Sequence, residues 1–488
     1  MATPSTEKPP APPVRISGVK TVLRYTGLPP SWLDKRPKLP SRNWLIFLSV
    51  TSSVIGLYVY DRRQCKKIRQ SYVDKVQHLA EVPVDPFDSP RKVTVLGAKW
   101  PGDEDYDQSI KYFRKYVKPI LVAAAVDYEL VPGKRHGDIA KRVAEDVRTR
   151  RRFDLGLDHD SDIKKALPTY KNLAEQRKRE LEGGIVIVGR PTFKEFMAGM
   201  CKGWTGNLEK VDPDEQLARI LENDNHFDEP EDAQEFVDDT PSRSPSRPSP
   251  ISSAQAPIFS PPQPRILPTP PNSFPKSAST HGPPSQIPPL PPLLLVPFTN
   301  HIGIQQIPLM IWGFFNQRHK VRAGAEAGYR LVMGNTRPVR IPDNVEEILA
   351  PKITDEDQTE TSLDLGDLDF GKEGESYVKK SLDAMPEEIE KLRTKYYESL
   401  PARLATAREL ARGIREPTKA ELENPPPTEV ELRAERSKKE RRWRDDLEGW
   451  EIIKPSTNPL WDERFRNVLR IFTDPPQEEN EVDHTKSS

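Results

Sequence analysis

Gly183-Gly-Ile-Val-Ile-Val-Gly189, followed at once by Arg190-Pro191-Thr192, decides how this chain is read. Four consecutive β-branched residues between glycines leave no polar position. That is the pattern of a strand covered on both faces, as in a parallel sheet flanked by helices. The next stretch, Thr192 to Met200, has helical spacing and predicts Thr192 as N-cap with Glu195 closing a capping box. A strand feeding directly into a helix is the repeating unit of an α/β domain.

The upstream sequence repeats that unit. Arg91 to Gly97 reads as a strand. Tyr106 to Leu121 reads as a helix with Tyr106, Ile110, Phe113, Val117 and Ile120/Leu121 on one face. Val126 to Val131 is a second strand. After the turn Pro132-Gly133, a helix places Ile139, Val143 and Val147 on one side and runs to the basic Arg148-Thr-Arg-Arg-Arg152. Residues 91–230 are therefore expected to form a parallel α/β domain.

Further toward the N-terminus, Trp44 to Tyr60 carries no charge. Its length at 1.5 Å per residue is about 26 Å, enough for a thin hydrocarbon core. Trp44, Tyr58 and Tyr60 put amphipathic rings at headgroup level, with Lys35, Arg36, Lys38 and Arg42 before the run and Arg62, Arg63, Lys66, Lys67 and Arg69 after it. Residues 1–43 are a short leading segment, 44–60 a transmembrane helix and 61–90 a polar helical stalk, stopped by Pro83, Pro86 and Pro90. Ser52 and Gly56, four apart on one face, offer a small-residue surface for another transmembrane helix.

Downstream, the Pro/Ser-rich stretch 241–292 is expected to be a disordered insert. Its Ser242, Ser244, Ser246 and Ser249, interleaved with Arg243 and Arg247, suit either phosphorylation or simple low-complexity filler. Residues 293–375 read as a mixed strand region, with strands at Leu293 to Val296 and Tyr329 to Met333. Between them the uncharged run Ile307 to Phe315, with Trp312 and Phe314, is too short to span a bilayer. It predicts a buried segment first and an interfacial one second. Residues 385–475 hold charged helices at Pro386 to Tyr397, Pro401 to Ile414 and Thr428 to Asp446, the last expected to be a solvated face. Trp461, Phe465, Val468, Leu469 and Phe472 then form an amphipathic stripe able to dock onto a surface.

Composition narrows the function. Across 488 residues only 35% are hydrophobic, 30% are charged and 52 are proline, so much of the chain cannot belong to a packed core. Seventy-four basic residues balance 74 acidic ones, which gives no global field for nucleic acid. Cys65 and Cys201 are too few for a disulfide framework or a tetrahedral metal site; one bridge or two free thiols remain. Gly97-Ala-Lys-Trp-Pro-Gly102 stands where a phosphate loop would, but matches neither nucleotide-binding glycine pattern. At Gly189-Arg190-Pro191-Thr192 a helix N-terminus and a cation meet. Pro191 removes an N–H, and no carboxylate stands beside the turn to ligate magnesium. No cofactor, metal or catalytic residue is expected, and Arg190→Ala is expected to leave function nearly unchanged.

Several phrases carry a resemblance. The apolar span, Ser109-Ile-Lys-Tyr-Phe-Arg-Lys-Tyr-Val-Lys-Pro-Ile-Leu121, Gly133-Lys-Arg-His-Gly-Asp-Ile-Ala140 and Leu293-Leu-Leu-Val-Pro-Phe-Thr-Asn-His301 resemble a fungal subunit family of the mitochondrial inner membrane carrier translocase. The resemblance implies a matrix N-terminus, a large domain in the intermembrane space and a scaffold role. Implied partners are the pore-forming subunit, other membrane subunits, small intermembrane-space chaperones, incoming carrier precursors and inner membrane lipids. The residues proposed for interaction are Ser52, Gly56, Trp312, Phe314, Trp461 and Phe465.

The α/β part also resembles the nucleotide-binding half of diacylglycerol and sphingosine kinases. In those enzymes a Gly-Gly-Asp-Gly-Thr loop follows a strand like Ile185 to Val188. Here Thr192 matches the threonine, while Arg190 and Pro191 replace the aspartate and its following glycine. With the apolar span and the C-terminal pattern, the expected fold is a single N-terminal transmembrane helix, a parallel α/β domain that the resemblance makes degenerate lipid-kinase-like, and a mixed α+β C-terminal region. An active inner membrane lipid kinase is the alternative function.

Overall fold

The computed structural model describes residues 41–83, 90–159, 170–210, 212–228, 282–342 and 365–476. The leading segment up to residue 40, the serine cluster and most of the 241–292 insert lie outside the described residues. The chain divides into two units, Met1–Arg63 and Gln64–Ser488.

In the first unit, helix α1 (Arg42–Val76, which continues into the second) is the one described helix long and apolar enough to cross a membrane. Phe47 and Leu57 are each 60% exposed, so no protein core claims the apolar run. Ser53 satisfies its hydroxyl within the helix by donating to the Ser49 carbonyl at 2.8 Å.

The second unit is built on a six-stranded mixed sheet in the order β2-β1-β3-β4-β6-β5. Its strands are β1 (Lys92–Gly97), β2 (Asp127–Pro132), β3 (Ile185–Val188), β4 (Leu293–Val296), β5 (Thr336–Pro338) and β6 (Arg470–Phe472). All neighbours pair in parallel except the edge strand β5, which runs antiparallel to β6. The stretches 91–230, 293–375 and 385–475 thus all place strands in one sheet.

The period-two rule divides the core between the two faces. Val93, Val95, Val186, Val188, Leu294, Val296 and Phe472 point to one side, where α2 (Gln108–Tyr116) and α3 (Lys118–Ala123) bring Ile110, Phe113, Ile120 and Leu121. The alternate residues Leu96, Ile187, Leu293 and Ile471 point to the other side. There α4 (Asp138–Asp154) brings Ile139, Val143 and Val147. Helices α5 (Leu173–Gly183) and α6 (Arg190–Thr205) bracket β3. Helix α6 crosses α4 so closely that a Cβ at Gly199 would stand 2.6 Å from the Ala140 carbonyl oxygen.

The structure departs from the sequence reading in several places. The helix expected from Tyr106 to Leu121 breaks at Val117, because Pro119 has no N–H to continue the ladder, and Tyr106 is exposed. The stalk is no free spacer. Its helical part docks on the domain, burying Cys65 against Tyr116 and Val321 and burying Val76 in the core. Helix α7 (Pro213–Glu222) follows α6. Tyr329 to Met333 ends helix α9 (Gln317–Met333) rather than forming a strand; Val321, Ala325, Gly328 and Leu331 recur at helical spacing and are buried. Helix α8 (Ile307–Phe315) has no buried residue, so the expectation of a buried segment fails.

The two helices expected on either side of Pro401 are one, α10 (Met385–Ala411), with the proline inside. After the short α11 (Lys419–Glu423), α12 (Glu429–Ile453) opens on a true capping box, Thr428 with Glu431. It is not simply a solvated face. Glu440 is fully buried, accepting from Arg393 at 2.9 and 3.1 Å and from the Tyr397 hydroxyl at 2.9 Å. The terminal stripe docks inward on this domain's own core: Phe465, Leu469 and Phe472 are buried and Trp461 packs beside them.

Candidate functional site

In a sheet of this kind ligands bind beyond the carboxyl ends of the strands, where the strand order reverses. Here β2 lies on one side of β1 and β3 on the other, so the crevice to inspect opens beyond Gly97 and Val188. Gly189 turns the chain there with φ of +82°, and a Cβ would meet the Phe298 ring at 3.3 Å. Helix α6 starts immediately, with Gly189 as N-cap and Arg190, Pro191 and Thr192 in its first turn.

The capping box expected at Thr192 and Glu195 does not form, because Thr192 lies inside the helix and both side chains are used elsewhere. The Thr192 hydroxyl donates to the Val188 carbonyl at 2.6 Å and accepts from the Ala98 amide at 2.8 Å, tying β1 to β3 across the crevice. From the β1 side, Ser109 donates to the Ala98 carbonyl at 3.0 Å. Glu195 accepts from the Ile139 amide of α4 at 3.0 Å. Burial pushes its carboxyl up to about 8, partly offset by the backbone donors of Gly137, Ile139 and Ala140, so it is a neutral acid at ordinary pH.

Arg190 is only 2% exposed. It donates to the carbonyls of Leu368 and Phe370, each at 3.0 Å, and its Nε lies 2.7 Å from Glu375. Lys194, one helical turn on, also pairs with Glu375 and donates to the Lys454 carbonyl at 2.8 Å. Burial holds the Lys194 ammonium down to about 8, against the pull of Glu375. The segment carrying Leu368 to Glu375 is fixed by Asp367, which accepts from Arg337 at 2.6 and 2.8 Å and from the Arg340 amide at 2.7 Å. It passes so close to α6 that a Cβ at Gly371 would stand 3.3 Å from that of Arg190.

Aromatic rings fill what remains. Trp100, 3% exposed, meets Phe298 edge to face at 5.7 Å, and Tyr112 meets Phe298 at 5.3 Å. An anion approaching this helix N-terminus would therefore meet a carboxylate, a covering segment and packed rings. Among the described residues no group of histidine, cysteine and acidic side chains is placed to hold a metal ion, and Cys65 and Cys201 are not joined by a disulfide. The groove lined by Arg91, Glu182, Pro292, Thr336 and Arg470 opens at the opposite, amino ends of the strands.

The other predicted residues are scattered. Ser52 and Gly56 are exposed on α1, and nothing lies within 4 Å of a Cβ placed at Gly56. Trp312 and Phe314 are 69% and 49% exposed on α8. Trp461 is half-buried, and Phe465 is fully buried; its side chain is core, and a folded domain cannot offer it to a partner. Sequence reasoning missed Lys194, Glu195 and Glu375. A capping-box spacing disguised Glu195, and nothing local marks Glu375 as the counter-ion of a residue so far upstream.

The family described as inner membrane protein import complex subunit Tim54 matches residues 20–391. A Cryptococcus neoformans protein named mitochondrial import inner membrane translocase subunit TIM54 is 36% identical over 491 residues, 97% of this chain and 98% of its own. Proteins of the same name from Yarrowia lipolytica, 31% identical over 45% of this chain and 49% of theirs, and Aspergillus oryzae, 39% identical over 36% and 40%, match shorter parts.

Proposed function

This chain belongs to the Tim54 family of inner membrane protein import complex subunits, and we propose that within such a complex it acts as a non-catalytic scaffold. The translocase served is the one that inserts multi-spanning carrier proteins into the mitochondrial inner membrane. The chain stabilises it by holding the pore-forming subunit and other membrane subunits together, and it helps dock small intermembrane-space chaperones that deliver carrier precursors. Residues 44–60 cross the membrane, residues 1–43 face the matrix and the α/β domain stands in the intermembrane space. The domain is a lipid-kinase-like fold whose phosphate-handling end has been turned to structural use.

The observation that carries the non-catalytic reading is the triad at the β3–α6 turn. Phosphoryl transfer needs an open helix N-terminus, groups that position magnesium and a cation free to meet charge on the transferring oxygens. Arg190 and Lys194 are the cations at this helix turn, and both are committed to Glu375 and to backbone carbonyls. A fully packed crevice suits a rigid body that presents outer surfaces.

Two experiments test the reading. Solubilising mitochondria in mild detergent and isolating the full-length chain should recover a multi-subunit inner membrane complex; recovery of the chain alone would count against the scaffold. Protease added to mitoplasts with an intact inner membrane should digest the α/β domain, whereas full protection would reverse the orientation.

A further inference from the structure

Helix α8, Ile307-Pro-Leu-Met-Ile-Trp-Gly-Phe-Phe315, has neither a charged nor a buried residue. Leu309, Met310, Ile311, Trp312 and Phe314 are between 41% and 69% exposed. Scattered exposed apolar side chains are ordinary, but a contiguous uncharged helix open to water marks a surface that something apolar covers.

The flanks of α8 say what covers it. From Leu293 to Ala325 the sequence contains no aspartate or glutamate, while Arg318, His319, Lys320 and Arg322 follow the helix directly. Nor is there one from Gln108 to Val126, the α2–α3 region that carries Lys111, Arg114, Lys115 and Lys118. Lys320 lies against α8, its Nζ 3.8 Å from where a Cβ would stand on Gly313. Burial, with Lys115 nearby, holds the Lys320 ammonium below its ordinary value. Lys115 in turn reaches the Gln317 side chain at the α8–α9 junction, at 3.4 Å. An apolar helix with an edge of clustered ammonium groups complements a bilayer surface bearing anionic phosphates, and nine residues are too few to span one.

Chain connectivity brings a bilayer within reach. Val321, six residues after Phe315, packs in one cluster with Cys65 and Tyr116. Cys65 is itself only five residues after Tyr60, where the apolar run of α1 ends. Five residues extend at most about 18 Å, so the covalent link between the apolar run and this cluster is short.

We propose that α8 lies in the interfacial layer of the membrane that α1 crosses, its apolar side chains among the outer acyl segments and Lys115 and Lys320 against anionic phospholipid phosphates. Trp312 sits at headgroup depth, where indole rings collect. Because α1 already tethers the domain, this second contact is intramolecular, and a modest insertion energy suffices to fix the domain's tilt over the bilayer. The proposal rests on α1 being a membrane span.

The test uses the full-length chain, with Cys65→Ala and Cys201→Ala, reconstituted in vesicles of phosphatidylcholine and cardiolipin. An environment-sensitive fluorophore is attached in turn at Met310→Cys, Ile55→Cys and Lys391→Cys. Nitroxide groups on shallow acyl positions should quench the probes at 310 and 55, and aqueous iodide should quench only that at 391. A probe at 310 that iodide reaches as readily as at 391 would overturn the proposal. Shielding from both quenchers would overturn it too, in favour of a second copy of this chain covering α8. If the probe at 55 escapes lipid quenching, the span reading itself fails, which separates the two claims. Vesicles of phosphatidylcholine alone should weaken lipid quenching at 310 several-fold; an unchanged signal would overturn the anionic part.

Discussion

The Thr192 hydroxyl accepts a hydrogen bond from the Ala98 amide at 2.8 Å, joining the first turn of α6 to the end of β1. In an open nucleotide site those two elements flank the ligand; here they are bonded to each other. Thr192→Val keeps the side-chain shape but leaves the buried Ala98 N–H without its acceptor. The expected cost is about 1–3 kcal/mol, the penalty for an unsatisfied buried donor. Thermal unfolding of the detergent-solubilised full-length protein checks it, and an unchanged midpoint would show that the tie carries no energy.

Arg190 is a structural clamp in the fold. Arg190→Ala removes two donors to the Leu368 and Phe370 carbonyls and one of two cations at Glu375. Losing one partner of a buried ion pair typically costs about 3–5 kcal/mol. Urea unfolding should show a loss of that size, and limited proteolysis should cut the 365–377 segment first. Arg190→Lys should recover only part of the loss, because an ammonium cannot reach both carbonyls and the carboxylate.

Glu195 makes stability depend on pH in an unusual direction. Folded, its carboxyl keeps the proton to about pH 8, while the unfolded chain releases it near the ordinary value of 4.5. Between those values the folded state binds more protons, so this stabilisation is fully present below pH 4.5 and lost as pH rises toward 8. Lys194 acts in a separate window. Its folded value near 8 lies below the ordinary 10.5, so its contribution changes with pH only above 8 and rises with pH there. Glu195→Gln should therefore flatten the curve from pH 5 to pH 8, leaving the variant on the order of 2–3 kcal/mol better off relative to wild type at the upper end. Parallel curves for the two proteins would remove Glu195 as the cause.

In the span, Ser52→Leu with Gly56→Leu should leave membrane insertion intact, since both changes raise apolarity. Both positions are exposed on α1, so no packing inside this chain opposes the substitution. If this face meets another transmembrane helix, recovery of the other membrane subunits in mild detergent should fall several-fold. Unchanged recovery would move the contact to the α/β domain.

The strands and their facing helices were legible because burial imposes a simple period. Ile185 to Val188 and Leu293 to Val296 are continuous apolar runs, and Ile110, Phe113, Ile139 and Val143 repeat at helical spacing. What failed was local sequence whose fate depends on distant packing. Tyr329 to Met333 has strand-like composition, but Gly324 and Gly328 upstream let α9 approach Tyr116 and Ile120 closely as a helix. Ile307 to Phe315 is apolar enough for a core and is exposed all the same. Phe465 had the amphipathic spacing of a docking face, and the surface it docks on is its own sheet. The three-residue spacing of Thr192 and Glu195 fits a capping box, but the helix begins two residues earlier, at Arg190. Glu375 could not be found from sequence, because ion pairing across such a separation leaves no local pattern.

The central claim is that the crevice beyond β1 and β3 is filled by the protein itself and transfers no phosphate. The most direct measurement incubates the purified full-length protein, in lipid vesicles with magnesium, with γ-labelled ATP and diacylglycerol or sphingosine. The account predicts no labelled lipid above a heat-denatured control. Labelled lipid from the wild-type protein, abolished by Lys194→Met in a variant that still folds, would contradict it and make the Arg190, Lys194 and Glu375 triad an active site.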